Sequence, residues 1–494
     1  MPLKSAKNRA IVACLLCFDA PCSSNCPHNV DPAKRICSLR FANTNGALRD
    51  LSDQCLNCPA PCEKHCLLPK PLAIKEILSA CYQEKRTSPI IEEKADISTD
   101  LCSFRLDNPF LLSSSVVASN YEMCAKAFSM GWAGAAFKTI SYIDIHEASP
   151  RFSATKNPDG SFQAFKNIEQ LSDHSPAENF AVFRHLKKDF PNKYLLVSIM
   201  GRNDEEWEKL AKDAEEAGAD GLELNFSCPN MVEGHAGSDV GQIPELVERY
   251  TRIVKKAVHI PVLAKLTPNV MTMSPAAEAA LRGGADGIAA INTIKSLTNL
   301  NIFQSLHVGI TDEKIAVGGL SGQAVRPIAL RFIAELCQNP KLAGMHISAM
   351  GGIYTFEDAL AFFSLGANTI QITTAVMEYG YRIIDDLKEG LSFFLSKHGY
   401  PSLDAFRGAA LKKVVDVEQI KRDRVILPRF LRNKCLHCGR CYLSCRDGGH
   451  QAISFQNRMP ILDAKKCVGC HLCVLVCPND AIVSSEEANR KQSV

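Results

Sequence analysis

The sequence predicts an α/β protein, a closed (β/α)8 TIM barrel of parallel strands with a cysteine-rich helical module before it and a second cysteine-rich module after it. Three observations predict this. An apolar run of about seven residues, ending in polar or small residues and followed by a helical stretch, recurs eight times in the middle of the chain. Of 22 cysteines, 16 fall at motif spacings in two short regions, Cys14 to Cys66 and Cys435 to Cys477. No G-x-G occurs anywhere, so the fingerprint that usually follows the first strand of an open doubly wound sheet is missing.

The strand candidates are Pro109–Ser115, Gly134–Ile140, Tyr194–Met200, Gly221–Ser227, Pro261–Thr267, Gly287–Thr293, His346–Gly352 and Thr369–Ala375. Each is apolar enough for burial on both faces. Helical patterns fill the gaps, most clearly over Glu205–Ala217, Ile243–Val258, Pro275–Gly283 and Phe356–Leu365. Eight β–α units in about 300 residues is the arithmetic of a TIM barrel. The expected domains are residues 1–95, a helical module with a stretch such as Leu72–Glu84; 96–427, the barrel; and 428–484, the second cysteine module. A polar tail, 485–494, is assigned no function.

Composition narrows the class. At roughly 150 residues per domain, 494 residues suggest about three domains. A net charge of +3 and no basic run interleaved with aromatics argue against nucleic acid. No apolar run approaches the ~20 residues needed to span a bilayer. The apolar stretch Ile11–Phe18 is interrupted by Cys14 and Cys17, unlike a signal-peptide core. A cytoplasmic protein is expected. Disulfide scaffolds are short and secreted, so the cysteine clusters read as metal sites kept reduced.

The C-terminal block reads Cys435-x2-Cys438-x2-Cys441-x3-Cys445, then Cys467-x2-Cys470-x2-Cys473-x3-Cys477-Pro478. This is the bacterial two-cluster ferredoxin spacing, in which the fourth cysteine of each run serves the other cube. Cys435, Cys438, Cys441 and Cys477 should hold one [4Fe–4S] cluster, and Cys467, Cys470, Cys473 and Cys445 the second. Arg446 stands where a proline is usual, and only local effects are expected. The N-terminal block reads Cys14-x2-Cys17-x4-Cys22-x3-Cys26, then Cys55-x2-Cys58-x3-Cys62-x3-Cys66. It is rich enough for two more cubes, giving four [4Fe–4S] clusters in all. Zinc is the alternative, stronger here than at the C-terminal block because the spacing is less standard. Cys37, Cys81, Cys102, Cys124 and Cys337 read as buried inert thiols.

Active sites of such barrels sit where strands end. There the sequence places Ser114, Lys138, Thr139, Ser198, Asn225, Ser227, Cys228, Lys265, Thr267, Asn292, Thr293, Gly351, Gly352, Thr373 and Thr374. Singly these are ordinary core groups; their convergence is the argument. Glycines after the seventh strand and threonines on the eighth suit a phosphate, and FMN is a phosphorylated cofactor that would fit. Lys265 would lie beside such a flavin and stabilise its reduced anion. The alternative, a structural salt-bridged lysine, finds no obvious acidic mate at neighbouring strand ends.

The first half of the N-terminal block, Cys14 to Cys26, resembles the N-terminal iron–sulfur domain of dihydropyrimidine dehydrogenases and of glutamate synthase small subunits, whereas the second motif, Cys55 to Cys66, departs from that family's spacing and leaves the partition of its cysteines open. That resemblance implies crossed ligands: Cys14, Cys17, Cys22 and Cys66 on one cluster, and Cys26, Cys55, Cys58 and Cys62 on the other. The stretches Ser198-Ile199-Met200, Asn225-Phe226-Ser227-Cys228-Pro229, Ala264-Lys265-Leu266-Thr267-Pro268-Asn269, Ile291-Asn292-Thr293 and Arg326-Pro327-Ile328-Ala329-Leu330 resemble dihydropyrimidine dehydrogenases, and more distantly dihydroorotate dehydrogenases. The closer likeness is to the FMN and iron–sulfur subunit of bacterial NAD-dependent enzymes, which normally lacks the N-terminal module.

The resemblance implies FMN contacts from Ser114, Lys138, Thr139, Lys265, Gly322, Gly351, Gly352, Thr373 and Thr374. It implies pyrimidine contacts from Asn167, Asn225, Ser227, Asn292 and Thr293, with Cys228 as general acid. It implies reduction of the C5–C6 double bond of uracil or thymine, and a homo-oligomeric core. The chemistry is coherent. Asparagine amides match the alternating donors and acceptors of a neutral pyrimidine. Reduced FMN can deliver hydride to C6, and a thiol of ordinary pKa about 8.5 can protonate C5. Cys228 lies in a Gly-bearing segment running to Gly241 that could close over the site. With no dinucleotide fingerprint, electrons should come from a separate FAD- and NAD(P)H-binding subunit or a ferredoxin, through the clusters to FMN. The rivals are another FMN reductase such as a dihydroorotate dehydrogenase, whose site should add a cation for a carboxylate, and an electron carrier with a vestigial barrel.

Overall fold

The computed structural model describes residues 11–87, 94–157, 160–229, 237–298, 310–311 and 314–485. Two compact units divide the chain: Ala10–Val414 forms one, and the chain from Val415 belongs to the other.

In the first unit the eight apolar runs form eight parallel strands in sequential order around a closed barrel. They are β1 (Phe110–Leu112), β2 (Gly134–Ile140), β3 (Tyr194–Ile199), β4 (Gly221–Asn225), β5 (Val262–Lys265), β6 (Gly287–Ala290), β7 (His346–Met350) and β8 (Thr369–Ile372). Seven end before their apolar or small-residue runs do. The leftover residues leave the ladder to bond locally: the Ser227 amide donates to Asn225 Oδ1 at 3.2 Å, just past β4. Helices Asp204–Glu216, Pro244–Ala257, Ser274–Gly283 and Phe356–Ser364 match the periodic stretches within one or two residues. Each closes its amphipathic face onto the barrel.

One end of the barrel is plugged. The hairpin Thr99–Leu101 and Phe104–Leu106 sends Leu101 and Leu106 against Leu111, Ala136, Leu196 and Leu263. The other end carries a four-stranded antiparallel sheet of Ile294–Ser296, Gly318–Ser321, Phe162–Asn167 and Phe152–Lys156. Sequence reading did not find this sheet. Its strands are short and mostly polar, so they show no period-2 apolar signal.

The N-terminal module keeps its own small core, with Ile36, Leu48, Leu51, Ile74, Ile77 and Leu78 buried among short helices. It nevertheless does not separate from the barrel as the sequence boundaries suggest. Asn43 Nδ2 donates to Asp386 Oδ1 and Glu389 Oε2, both at 2.8 Å, on the last barrel helix, Ile383–Lys397. Arg40 donates to the Tyr379 hydroxyl at 2.8 Å, and Arg382 to the Leu16 carbonyl at 2.7 Å. Cys37, expected to be an inert thiol, sits 3.8 Å from Asp386 Oδ2, and its pKa is pushed up to about 12 chiefly by burial.

This docking carries a pH dependence. Burial first, then the like charges of Glu389 and Asp385, hold the Asp386 carboxyl above its ordinary 3.8, against opposing hydrogen bonds from Ser38 and Asn43. The folded state therefore binds the proton better than the unfolded chain. The resulting stability is complete below 3.8 and is lost as pH rises through the raised folded value. Thermal unfolding of wild type and Asp386→Asn across that window is expected to show wild type losing ground to the variant as pH rises. An identical pH slope in both would remove this account.

The second unit contains two antiparallel pairs, Pro428–Phe430 with Ile482–Ser484 and Ile453–Gln456 with Met459–Leu462. Cys441, Ile453, Cys473 and Ile482 form its core. The Arg446 departure has a visible local effect. Without a proline, the helix Arg440–Gly448 runs through Cys445 and Arg446, whereas Leu472–Leu475 stops before Cys477-Pro478. Of the tail, residues 486–494 lie outside the described residues. No helix among the described residues is long and apolar enough to cross a membrane.

Candidate active site

A cavity of about 140 Å³ opens at the unplugged end of the barrel. Ser114, Lys138, Thr139, Lys265, Gly322, Gly351, Gly352, Thr373 and Thr374 all line it, together with Asn167, Asn225, Cys228, Asn292 and Thr293. Cys228 thus shares one cavity with Lys265 and Asn292, as the sequence reading required. Of the segment running to Gly241 that could close over the site, residues 230–236 lie outside the described residues, and Ser238–Gly241 forms a short helix.

Ser227 is the exception: it is fully buried and absent from the lining. Its hydroxyl donates to Asn225 Oδ1 at 2.9 Å and accepts from Asn292 Nδ2 at 2.8 Å. It therefore ties the two amides together. Asn225 Nδ2 donates to Thr139 Oγ1 at 2.9 Å, and Thr139 contacts Ser198 at 2.9 Å. With both Oδ1 lone pairs taken by Ser227, Asn225 presents one N–H to the cavity. Asn292 Oδ1 accepts once, from the Thr293 amide, so Asn292 presents both an N–H and a lone pair. Asn167 comes from the antiparallel sheet and donates to the Gly319 carbonyl at 3.2 Å.

Lys265 corrects the sequence reading, which found it no acidic mate. Its Nζ lies 3.0 Å from Glu223 Oε1, and neither side chain is more than 3% exposed. The neighbouring strand ends carry no carboxylate; Glu223 lies two residues deeper on β4. The register pairs Asn225 with Lys265, and Glu223 shares the face of Asn225 because strand side chains alternate. The available signal was a carboxylate in the apolar run Gly221-Leu222-Glu223-Leu224. Gln371, on β8, was missed for the same reason. Lys138 is also paired, with Glu169 Oε2 at 2.5 Å, and Arg151 reaches the other oxygen at 3.2 Å.

The far wall suits a phosphate. Gly322, Gly351 and Gly352 have φ of +87°, +125° and +74°. A Cβ on Gly352 would lie 2.8 Å from the Gly322 carbonyl oxygen and the Arg326 Cβ, so only glycine fits that fold of the loop. Thr374 and Ser321 hydroxyls meet at 3.0 Å beside it, as do Ser115 and Thr373. Hydroxyls and close-approaching backbone fit the phosphate of a flavin mononucleotide.

The cysteine modules fit iron–sulfur cubes. All 22 cysteines are free of disulfides. One apolar niche is lined by Cys14, Cys17, Cys22 and Cys66, and another by Cys26, Cys55, Cys58 and Cys62. A third, in the C-terminal unit, is lined by Cys445, Cys467, Cys470 and Cys473. These three groupings coincide with three of the four ligand sets named above. Cys441 has Cys438 and Cys435 as near neighbours. Burial, reinforced first by Glu63 and then by nearby thiols, pushes the pKa of Cys62 up to about 12, and burial with nearby thiols pushes that of Cys473 up to about 11. Four such sulfurs become thiolates only beside a cationic partner, as iron supplies. Among the described residues, no three His, Cys, Asp or Glu side chains gather as they would around a single metal ion.

The dihydroorotate dehydrogenase family model matches residues 97–395, and a 4Fe-4S dicluster domain matches residues 429–484. The chain is 49% identical to the NAD-dependent dihydropyrimidine dehydrogenase subunit PreA of Escherichia coli K12 over 398 residues, covering 80% of this chain and 97% of that one. It is 33% identical to the chloroplastic dihydropyrimidine dehydrogenase (NADP(+)) of Arabidopsis thaliana over 339 residues, 66% of this chain and 80% of that one. It is 36% identical to the catalytic subunit of dihydroorotate dehydrogenase B (NAD(+)) of Pyrococcus abyssi over 318 residues, 64% and 99% of the two chains. With its closed parallel barrel and cysteine-bearing C-terminal unit, the chain is an oxidoreductase that belongs to the dihydroorotate dehydrogenase family and groups with dihydropyrimidine dehydrogenase subunits.

Proposed function

We propose that this chain is the pyrimidine-reducing subunit of a dihydropyrimidine dehydrogenase, saturating the C5–C6 bond of uracil or thymine. The observation that carries the choice of substrate is the charge inventory of the cavity. Among its described lining residues the only cations are Lys138 and Lys265, and each already has a carboxylate partner. A substrate bearing its own carboxylate, such as dihydroorotate, would find no cation to spare. A neutral ring would instead meet one N–H from Asn225 and a donor–acceptor pair from Asn292, which match ring carbonyls and an imide N–H.

FMN, when bound, supplies hydride chemistry to the ring. Gly351, Gly352, Thr373 and Thr374 would hold its phosphate, with Lys265, Ser114, Lys138 and Thr139 around the remainder. Cys228, buried in the lining, holds the proton that C5 must receive. The grouped cysteines support four [4Fe–4S] clusters, two in the N-terminal module and two in the C-terminal unit. The donor is a separate FAD- and NAD(P)H-binding subunit or a ferredoxin, and the core is homo-oligomeric.

An anaerobic assay with a reduced viologen tests the reading. Uracil and thymine are expected to oxidise the dye while orotate does not. Analysis of the same preparation should find about 16 iron atoms and one FMN per chain, from four cubes. Turnover of orotate with uracil inert would assign the dihydroorotate reading instead. Dye oxidation that stops once the clusters are filled would leave an electron carrier.

A further inference from the structure

Beneath the proposed flavin site lies a closed layer of polar side chains that the reaction itself does not call for. Glu223 is fully buried. Its Oε1 accepts from Lys265 Nζ at 3.0 Å and from Ser114 Oγ at 2.7 Å. Lys265 also donates to Ser114 Oγ at 2.8 Å, and its third contact, Ser113 Oγ, is the longest at 3.5 Å. Oε2 of Glu223 accepts from Gln371 Nε2 at 3.0 Å. Gln371 is held in turn by Ser348, which Thr369 also contacts, at 3.1 and 2.9 Å. A carboxylate is costly to bury, and four barrel strands converge to keep this one. A purely structural lysine could have been satisfied by hydroxyls and carbonyls alone.

We propose that Glu223 is a positioning residue that acts as a counterweight to Lys265: it fixes the ammonium beside the cofactor and offsets most of its charge, and so lowers the flavin's electron affinity. The inference rests on FMN occupying the cavity. A lone buried cation beside the ring would strongly favour the anionic reduced flavin. Such a flavin is easily reduced but a poor hydride donor. The Lys265–Glu223 pair presents a near-neutral dipole instead, and the flavin keeps enough reducing power to pass its electrons on. The other charged groups of the cavity, Lys138 and Glu169, are already matched to each other and leave this balance to Glu223.

The test uses the full-length holoprotein and two readouts other than turnover. One is the flavin reduction potential by anaerobic spectroelectrochemistry. The other is the affinity for sulfite, which adds to oxidised flavin to form an anionic adduct. Glu223→Gln is nearly isosteric, and a flip of Gln371 can turn its Oε1, which has no hydrogen-bond partner, onto the new amide. It is expected to bind sulfite about tenfold more tightly, a potential rise of about 30 mV for a two-electron couple. Lys265→Met is expected to shift both readouts in the opposite direction, and the double variant Glu223→Gln/Lys265→Met to return towards wild type. A merely structural glutamate would not produce opposite signs that cancel. Should Glu223→Gln fail to fold, the double variant measured against Lys265→Met carries the test: a rise on removing the carboxylate supports the counterweight, and no rise overturns it. Unchanged or lowered sulfite affinity in folded, FMN-loaded Glu223→Gln overturns it too, leaving the pyrimidine reading intact. Purified wild type without FMN would overturn both.

Discussion

Replacing Cys228 with alanine is expected to lower uracil reduction by about two to four orders of magnitude, the usual worth of a positioned general acid. The loss should be confined to the chemical step. Cys228 lines the cavity but is not among the glycines and threonines proposed for the phosphate, so FMN content should not change. Cluster reduction should not change either, because all 16 motif cysteines remain. Iron and flavin analysis, anaerobic uracil turnover and a stopped-flow record of flavin reoxidation by uracil separate these effects. Cys228→Ser should stay close to the alanine variant, since a hydroxyl is a far weaker acid than a thiol. Retention of more than about a tenth of wild-type turnover by Cys228→Ala would contradict the assignment. The proton would then have to come from elsewhere in the cavity.

The second large effect concerns stability. Lys265→Met keeps the volume of the side chain but leaves the Glu223 carboxylate buried with only Ser114 and Gln371 as donors. Breaking one side of a buried pair costs about 3–5 kcal/mol, a large share of a typical domain's stability. Chemical denaturation should therefore show a sharply lowered midpoint for the barrel. Adding Glu223→Gln should restore much of it, because the uncompensated charge is then gone. The same two substitutions can thus be read through stability as well as through the flavin potential. A Lys265→Met protein as stable as wild type would mean that Glu223 takes up a proton cheaply. The ion pair would then count for little.

Much of the architecture was legible from local pattern. Gly134–Ile140 was read to the residue, and the other strands to within a few, because a parallel barrel strand buried on both faces must be a short apolar run. The cysteine tetrads were legible because a cube takes its first three thiolates from one short loop, which fixes their spacing. The antiparallel sheet over the mouth was not legible. Its strands Phe152–Lys156 and Gly318–Ser321 hold one another across more than 150 residues of chain through Phe162–Asn167, and no local period reports such pairing. Ser227 follows the expected strand, but its hydroxyl bonds Asn225 and Asn292 and does not line the cavity. Its type and position were evident, but whether its hydroxyl faces the cavity or its neighbours depends on how the chain turns after Asn225.

By itself, the sequence determined what depends on neighbours a few residues apart: the eight strands, the clustering of thiols, and the group of polar residues that must meet at one barrel mouth. Only the tertiary structure decided which of those residues neutralise each other. Glu223 and Lys265 lie 42 residues apart and meet because barrel closure sets the stagger of β4 against β5. Charge compensation in a buried site falls off with distance in space and is indifferent to distance along the chain. The electrostatics of this site therefore became readable only once the strands stood side by side.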